Sequence, residues 1–121
     1  MEGKRMGAVE TRFAELVWEH APLSSAELVK LCAAELEWKK STTYTVLKKL
    51  CDRGLFQNDG GTVKVLVSKG EYDSIQSAQF VEENFSGSLP AFLAAFSAGK
   101  KLTQQEVEEI QKLIDRYKGE E

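Results

Sequence analysis

The side chains with the clearest chemical potential are hydroxyls and lysines that cluster between Lys39 and Gly54, in the stretch KKSTTYTVLKKLCDRG. From Lys39 to Arg53 there are five basic residues and one acidic residue, Asp52. Hydroxyl groups are short enough to approach base edges, and lysines supply the positive charge and the donors that bind phosphates. The stretch therefore favours contact with nucleic acid.

On a helix at 100° per residue, the same stretch divides into an apolar and a polar face. The apolar face consists of Thr43, Val46, Leu47, Leu50 and Cys51. A helix over residues 41–53 could pack through that face and enter a DNA major groove with the other. The candidate DNA contacts are Lys39, Lys40, Ser41, Thr42, Tyr44, Thr45, Lys48 and Lys49. The alternative is a solvated surface helix of a soluble domain, and the neighbouring elements must decide between the two.

Composition argues against catalysis. The sequence has one histidine, His20, and it lacks a phosphate-binding glycine loop, an HExxH motif and a nucleophile elbow. We assign no catalytic residue, and we expect His20 to lie at the C-terminus of a helix. Cys32 and Cys51 lack metal-ligand spacing, which predicts free thiols in a reducing compartment and neither a metal nor a cofactor.

Length and hydrophobic content limit the architecture. The 121 residues are 42% hydrophobic, which suffices for a modest core in one domain, with or without an appendage. No run approaches the roughly 18 apolar residues that span a bilayer, and the N-terminal MEGKRMG lacks the apolar stretch of a signal peptide. The expected location is the cytoplasm.

Two further helices are predicted to precede and support the basic helix. Helical spacing of apolar residues predicts the first over Ala8–His20, and Ser24 with Glu27 forms a capping box that opens the second. For the basic helix, Ser41 is the expected N-cap, and Gly54 is placed to end it in a left-handed conformation.

A β-hairpin is predicted directly after the third helix. Residues 55–57 and 63–67 are short strand-like runs around Asn58-Asp59-Gly60-Gly61, a sequence suited to positive φ angles. Three helices followed by a hairpin is the winged helix-turn-helix arrangement. The basic helix then becomes the recognition helix, and Lys64 on the wing could contact the DNA backbone, although the acidic wing tip limits that contribution.

Acidic charge lies mostly in the C-terminal half. Residues 1–70 carry 11 basic and 9 acidic side chains, net +2, whereas residues 71–121 carry 5 and 10, net −5. This asymmetry suggests that the first part faces nucleic acid and that the second part has another role. We predict a winged-helix DNA-binding domain over 1–70 and a helical dimerisation region over 71–121. The predicted fold class is mainly α with a small β-hairpin.

The C-terminal half contains apolar residues at helical spacing. Ser68 with Glu71 and Thr103 with Glu106 form two further capping boxes, and Ser88 opens a segment between them. Short helices cannot bury such surfaces alone, so they cap the first domain or pair with a second chain. We favour a two-fold homodimer, which would present two recognition helices to a palindromic site. The predicted interface residues are Leu89, Phe92, Phe96, Val107, Ile110, Leu113, Ile114 and Tyr117.

From about Ala8 to Lys118 the chain resembles the penicillinase-repressor family of bacterial transcription repressors. The resemblance rests on WKKSTTYTVLKKLCDRG, on the hairpin, and on GSLPAFLAAF followed by LTQQEVEEIQKLIDRYK. It implies a dimer of winged-helix domains joined by interlocked C-terminal helices, with DNA contacts at Ser41, Thr42, Thr45 and Lys48 or Lys49.

The same resemblance bears on how repression ends. In the best-known members a membrane metalloprotease cuts an Asn-Phe bond in the dimerisation region, and Ala95-Phe96 stands at that position here. A copper-responsive branch carries paired Cys-x-Cys motifs, which this sequence lacks. The resemblance therefore implies a DNA operator, a second copy of the chain and a protease sensor as partners. A winged-helix protein-interaction module without specific DNA binding is the alternative.

Overall fold

Apart from one short strand between the first two helices, the elements follow one another in the order that the sequence predicts, in a computed structural model that describes residues 6–119. The elements are α1 (Ala8–His20), β1 (Leu23–Ser24), α2 (Ser25–Leu36), α3 (Lys40–Asp52), β2 (Phe56–Asp59), β3 (Thr62–Val65), α4 (Lys69–Phe85), α5 (Leu89–Gly99) and α6 (Gln104–Tyr117). This order confirms the predicted fold class of a winged helix followed by a helical C-terminal region. Within the described residues no helix is both long and apolar enough to cross a membrane.

Reciprocal side-chain caps open three of the helices. Ser24 Oγ accepts from the Glu27 amide at 3.0 Å, while Glu27 Oε1 accepts from the Ser24 amide at 3.0 Å. The same exchange occurs between Ser68 and Glu71 and between Thr103 and Glu106. All three predicted capping boxes are confirmed, because each satisfies two amides that a helix end would leave without partners.

Helix α3 begins earlier than the sequence predicts. Lys39 is the N-cap of α3 and makes no side-chain capping bond, so the prediction of Ser41 as the cap is wrong. Ser41 lies inside the first turn, where its hydroxyl stays on the exposed face. Gly54, with φ of +87°, ends the helix as predicted.

The sheet has three strands rather than two. Strands β2 and β3 form the predicted hairpin, with Phe56 opposite Val65 and Gly60 and Gly61 in the turn at φ of 60° and 95°. On the other side of β3, Leu23 of β1 pairs with Val63. The sequence does not indicate β1, since two residues are too few for an alternating pattern.

Within residues 6–119, every buried hydrophobic side chain of the core lies between Phe13 and Val63. Side chains from α1, α2, α3 and the sheet fill this core, and the largest fully buried ones are Phe13, Phe56, Leu28, Leu47, Leu50, Val17 and Val63. Trp38 covers one edge by stacking on Phe13, with ring centroids 5.6 Å apart.

Cys32 is buried and Cys51 is half-buried; both are free thiols, and burial raises the pKa of each. His20 is the last residue of α1, as predicted, and its Nδ1 lies 2.8 Å from the Leu16 carbonyl oxygen.

The chain divides into two compact units, one ending at Gln79 and the other beginning at Phe80. The predicted division after residue 70 is one of function, between DNA binding and dimerisation, and it stays a prediction. The first unit extends further because the start of α4 packs on α1: the Tyr72 ring lies 5.7 Å from that of Trp18, and Trp18 Nε1 donates to the Val67 carbonyl at 2.9 Å. Residues 1–5 and 120–121, at the ends of the two predicted ranges, lie outside the described part.

The second unit is held by aromatic contacts and contains few covered side chains. Phe92 lies 5.9 Å from Phe80 and 5.5 Å from Phe85, measured between ring centroids. Neither α5 nor α6, both fully described, contains a buried residue. In a single chain the apolar surface of these helices thus stays largely open to water.

Candidate nucleic-acid interface

Helix α3 separates its side chains into a buried and an exposed face, as its sequence predicts. Thr43, Leu47 and Leu50 are buried against the rest of the first unit. The exposed face carries the hydroxyls and amines singled out as candidate contacts: Lys39, Lys40, Ser41, Thr42, Thr45, Lys48 and Lys49. A continuous polar surface therefore runs along the whole length of α3.

Tyr44 differs from the other candidates. Its side chain is half-buried, and its hydroxyl donates to Ser25 Oγ at 3.1 Å, which ties α3 to the first turn of α2. Helical spacing puts Tyr44 at the border of the polar face, and only the packed structure shows that its ring is partly covered. Its hydroxyl is thus occupied by a contact within the protein.

Both ends of α3 are fixed by backbone contacts. The Thr43 amide donates to the Lys39 carbonyl at 3.1 Å, and Thr43 Oγ1 donates to the same oxygen at 3.3 Å. At the other end the Leu55 amide donates to the Leu50 carbonyl at 3.1 Å, so the chain turns directly into the hairpin. The polar face is consequently presented by an element with defined ends, whose opposite face is packed in the core.

The basic side chains of this region fall into two classes. Lys48 Nζ lies 3.1 Å from Asp52 Oδ2, and Lys49 forms an ion pair with Glu10 on α1. By contrast, Lys39 and Lys40 have no salt bridge within residues 6–119. Positive charge without a protein partner is therefore concentrated at the N-terminal end of α3.

The wing adds little positive charge of its own. Lys64 on β3 is exposed, and its Nζ lies 2.9 Å from Asp59 Oδ2 near the hairpin turn. A shallow groove separates the wing from α3, with Tyr44, Lys48 and Gln57 among its lining residues. Two candidate contacts on α3, Tyr44 and Lys48, thus border this groove, whereas Lys64 is not among its lining residues.

Glu10 is the functional candidate that the sequence does not reveal. The hydrogen bond from Lys49 is the main reason why the pKa of the Glu10 carboxyl lies below its ordinary value of 4.5. The Gly7 amide and the nearby charge of Arg53 also lower this pKa. An acidic residue in the first turn of a helix ordinarily indicates only a favourable interaction with the helix dipole. Because Glu10 and Lys49 are separated by 39 residues, no local signal connects them.

The predicted dimer interface lies on the exposed apolar surface of the second unit. Six of its eight residues are large hydrophobic side chains that remain exposed: Leu89, Phe96, Val107, Leu113, Ile114 and Tyr117. Phe92 and Ile110 are half-buried. Ala95 and Phe96, the predicted cleavage position, are both exposed and lie within α5 rather than in a loop.

Comparison with known proteins gives a consistent result over both units. The model of the family described as "Penicillinase repressor" matches residues 6–116. The penicillinase repressor of Bacillus licheniformis is 22% identical over 114 residues, which cover 91% of this chain and 89% of that protein. The matched range includes α3, the wing and all but the last residue of α6.

Proposed function

The chain belongs to the penicillinase repressor family, a family of transcriptional repressors, and we propose that it acts by inserting α3 into the major groove of operator DNA. The observation that supports this mode of binding is the exposed polar face of α3. It combines short hydroxyls with lysines on an element whose opposite face is locked into the core. The major groove of DNA is wide enough for an α-helix, and each base pair presents a distinct pattern of hydrogen-bond donors and acceptors there.

Side-chain length and position suggest a division of roles along α3. Ser41, Thr42 and Thr45 are short and exposed, so they suit base edges at the floor of the groove. Lys39 and Lys40 suit phosphates, because their charge has no protein partner within the described residues. The N-terminus of α3 has no side-chain cap, which leaves its first amides able to donate to a phosphate oxygen as well.

Lys48 and Lys64 are proposed as exchangeable phosphate contacts. Each is paired with an aspartate, but both partners of each pair are well exposed to solvent. Exposed pairs of this kind contribute only about 0–1 kcal/mol, so a DNA phosphate can replace the aspartate at small cost. Tyr44 is proposed to orient α3 through Ser25 rather than to read a base.

We propose that two chains pair through α5 and α6. The exposed apolar side chains on these helices lack a covering partner within one described chain, and a second copy presents the same surface. Isologous pairing about a two-fold axis would bury them and present two copies of α3. A palindromic operator would then match the symmetry of the protein. The proposed location is the cytoplasm, where a bacterial operator lies.

Release of the operator is proposed to follow cleavage near Ala95-Phe96 by a membrane metalloprotease sensor. Cutting α5 would separate the winged helix from α6, so that each half-site is bound alone. Loss of bivalency commonly removes 10²-fold or more of the apparent affinity. Because this peptide bond lies inside a helix, α5 must first open locally for a protease to reach it.

Salt dependence tests the DNA-binding proposal. The affinity of the purified chain for a fluorescent duplex should fall steeply as salt rises, because each phosphate contact releases counterions. Lys48→Ala should reduce the slope of log affinity against log salt by about one phosphate contact, on every DNA sequence. Lys112→Ala, which removes an exposed lysine from α6, is the control and should leave the slope unchanged. If the affinity of the wild type does not respond to salt, its binding does not depend on phosphate contacts. That result would favour the alternative, a protein-interaction module that binds through apolar contacts.

A further inference from the structure

Glu10 on α1 lies against the C-terminal half of the recognition helix. We propose that Glu10 is a positioning residue that keeps Lys49 away from the DNA phosphates and so limits the sequence-independent part of DNA affinity. This inference rests on the proposed DNA-binding function. Glu10 lies outside α3, and its proposed effect on DNA binding is exerted through Lys49.

The carboxylate of Glu10 is held from two sides. Oε1 accepts from the Gly7 amide at 3.3 Å, at the N-terminus of α1, and lies 3.8 Å from Nη1 of Arg53. Oε2 accepts from Lys49 Nζ. Glu10 therefore joins the start of α1 to the last turns of α3 through a contact between two fixed helices.

Two neighbouring lysines of α3 consequently meet different conditions. The side chains of Lys48 and Asp52 are 77% and 65% exposed and belong to one helix, so water screens their attraction. The Lys49 side chain is 58% exposed, but that of Glu10 is only 19% exposed and its position is set by the first turn of α1. A phosphate can displace Asp52 from Lys48 readily, whereas Lys49 would have to leave a less solvated carboxylate behind.

Charge neutralisation at position 10 should release Lys49. Glutamine keeps the capping contact to the Gly7 amide, since both Glu and Gln serve at that position of a capping box. With Glu10→Gln, Lys49 becomes available to a phosphate, and affinity for operator and random DNA should rise together. The slope against salt should steepen by about one contact, which adds about a 3.5-fold greater loss of affinity between 50 and 200 mM salt.

Three variants make the test specific, each checked for folding by circular dichroism. Glu19→Gln, on the exposed side of the same helix, makes the same change in net charge and should leave the slope as in the wild type. Lys49→Ala alone should also leave the slope unchanged, because Lys49 is not a phosphate contact in the wild type. Adding Lys49→Ala to Glu10→Gln should return the slope to the wild-type value.

The outcomes separate this inference from the proposed function. A wild-type chain that binds no DNA at low salt would overturn both. DNA binding by the wild type together with an unchanged or shallower slope in Glu10→Gln would overturn the restraint alone. A salt slope that is shallower by about one phosphate contact in Lys49→Ala would also overturn the proposed role of Glu10. A purely structural role for Glu10 would instead lower affinity and reduce the preference for operator over random DNA.

Discussion

Replacing Ile114 with glutamate should convert the proposed dimer into monomers. Ile114 lies on α6, and its side chain is 50% exposed in a single chain. It is a better probe than Phe92, whose ring packs against Phe80 and Phe85 within the same unit. Substitution at Phe92 would therefore disturb the unit itself as well as the surface between two chains.

The expected magnitude follows from the exposed half of Ile114. Fully burying an isoleucine side chain contributes about 1.5–3 kcal/mol, so covering the remaining half contributes about 0.8–1.5 kcal/mol per chain. Two-fold symmetry doubles this loss to about 1.5–3 kcal/mol, and taking an unpaired carboxylate out of water costs several kcal/mol more. A total of about 5–6 kcal/mol would raise the dimer dissociation constant about 10⁴-fold.

Sedimentation velocity at a series of protein concentrations measures this shift directly. Lys112→Gln makes the same change in net charge on the opposite side of α6 and should sediment as the wild type does. An Ile114→Glu chain that dimerises as tightly as the wild type would refute α6 as the interface. A wild-type chain that stays monomeric at every concentration would refute the dimer.

Three further predictions concern base reading, acid stability and derepression. Thr45→Ala should reduce the preference for operator over random DNA by about 1–3 kcal/mol in competition binding, and an equal loss on both DNAs would contradict base reading. Because Lys49 holds the pKa of Glu10 below 4.5, the resulting stabilisation is present above that pH and is lost as pH falls through the lowered value. Urea unfolding at a series of acidic pH values should therefore show a smaller loss of stability in Glu10→Gln, and identical pH profiles would contradict this. If cleavage ends repression, mass spectrometry of the native cell during derepression should detect a fragment that ends at Ala95 or near it, whereas intact chain with released operators would exclude it.

Local sequence signals predict the helices well because their causes are local. Ser24 and Glu27 are three residues apart, and the bonds that they exchange require only that spacing. The bounds of α1 and the terminator Gly54 are likewise set by neighbouring residues. Ser41 misleads because a good capping residue can also lie within the first turn, and Lys39 takes the cap position instead.

The candidate site is only partly visible in the sequence, since some of its contacts join distant segments. Helical spacing alone separates the polar from the buried face of α3. It cannot reveal that Glu10 meets Lys49, or that Tyr44 is tied to Ser25, because packing of α1 and α2 on α3 creates both contacts. The strand pairing of Leu23 with Val63 is also hidden from the sequence, because these two residues are far apart in the chain.

Footprinting on DNA selected from random sequence tests most directly whether two copies of α3 read a symmetric operator. Hydroxyl-radical cleavage should show two protected regions related by two-fold symmetry and separated by a whole number of helical turns, each about 10–10.5 base pairs. Methylation at guanine N7 should be blocked inside both regions, since N7 faces the major groove. Protection without symmetry, or protected regions in which guanine N7 stays fully reactive, would contradict the central claim.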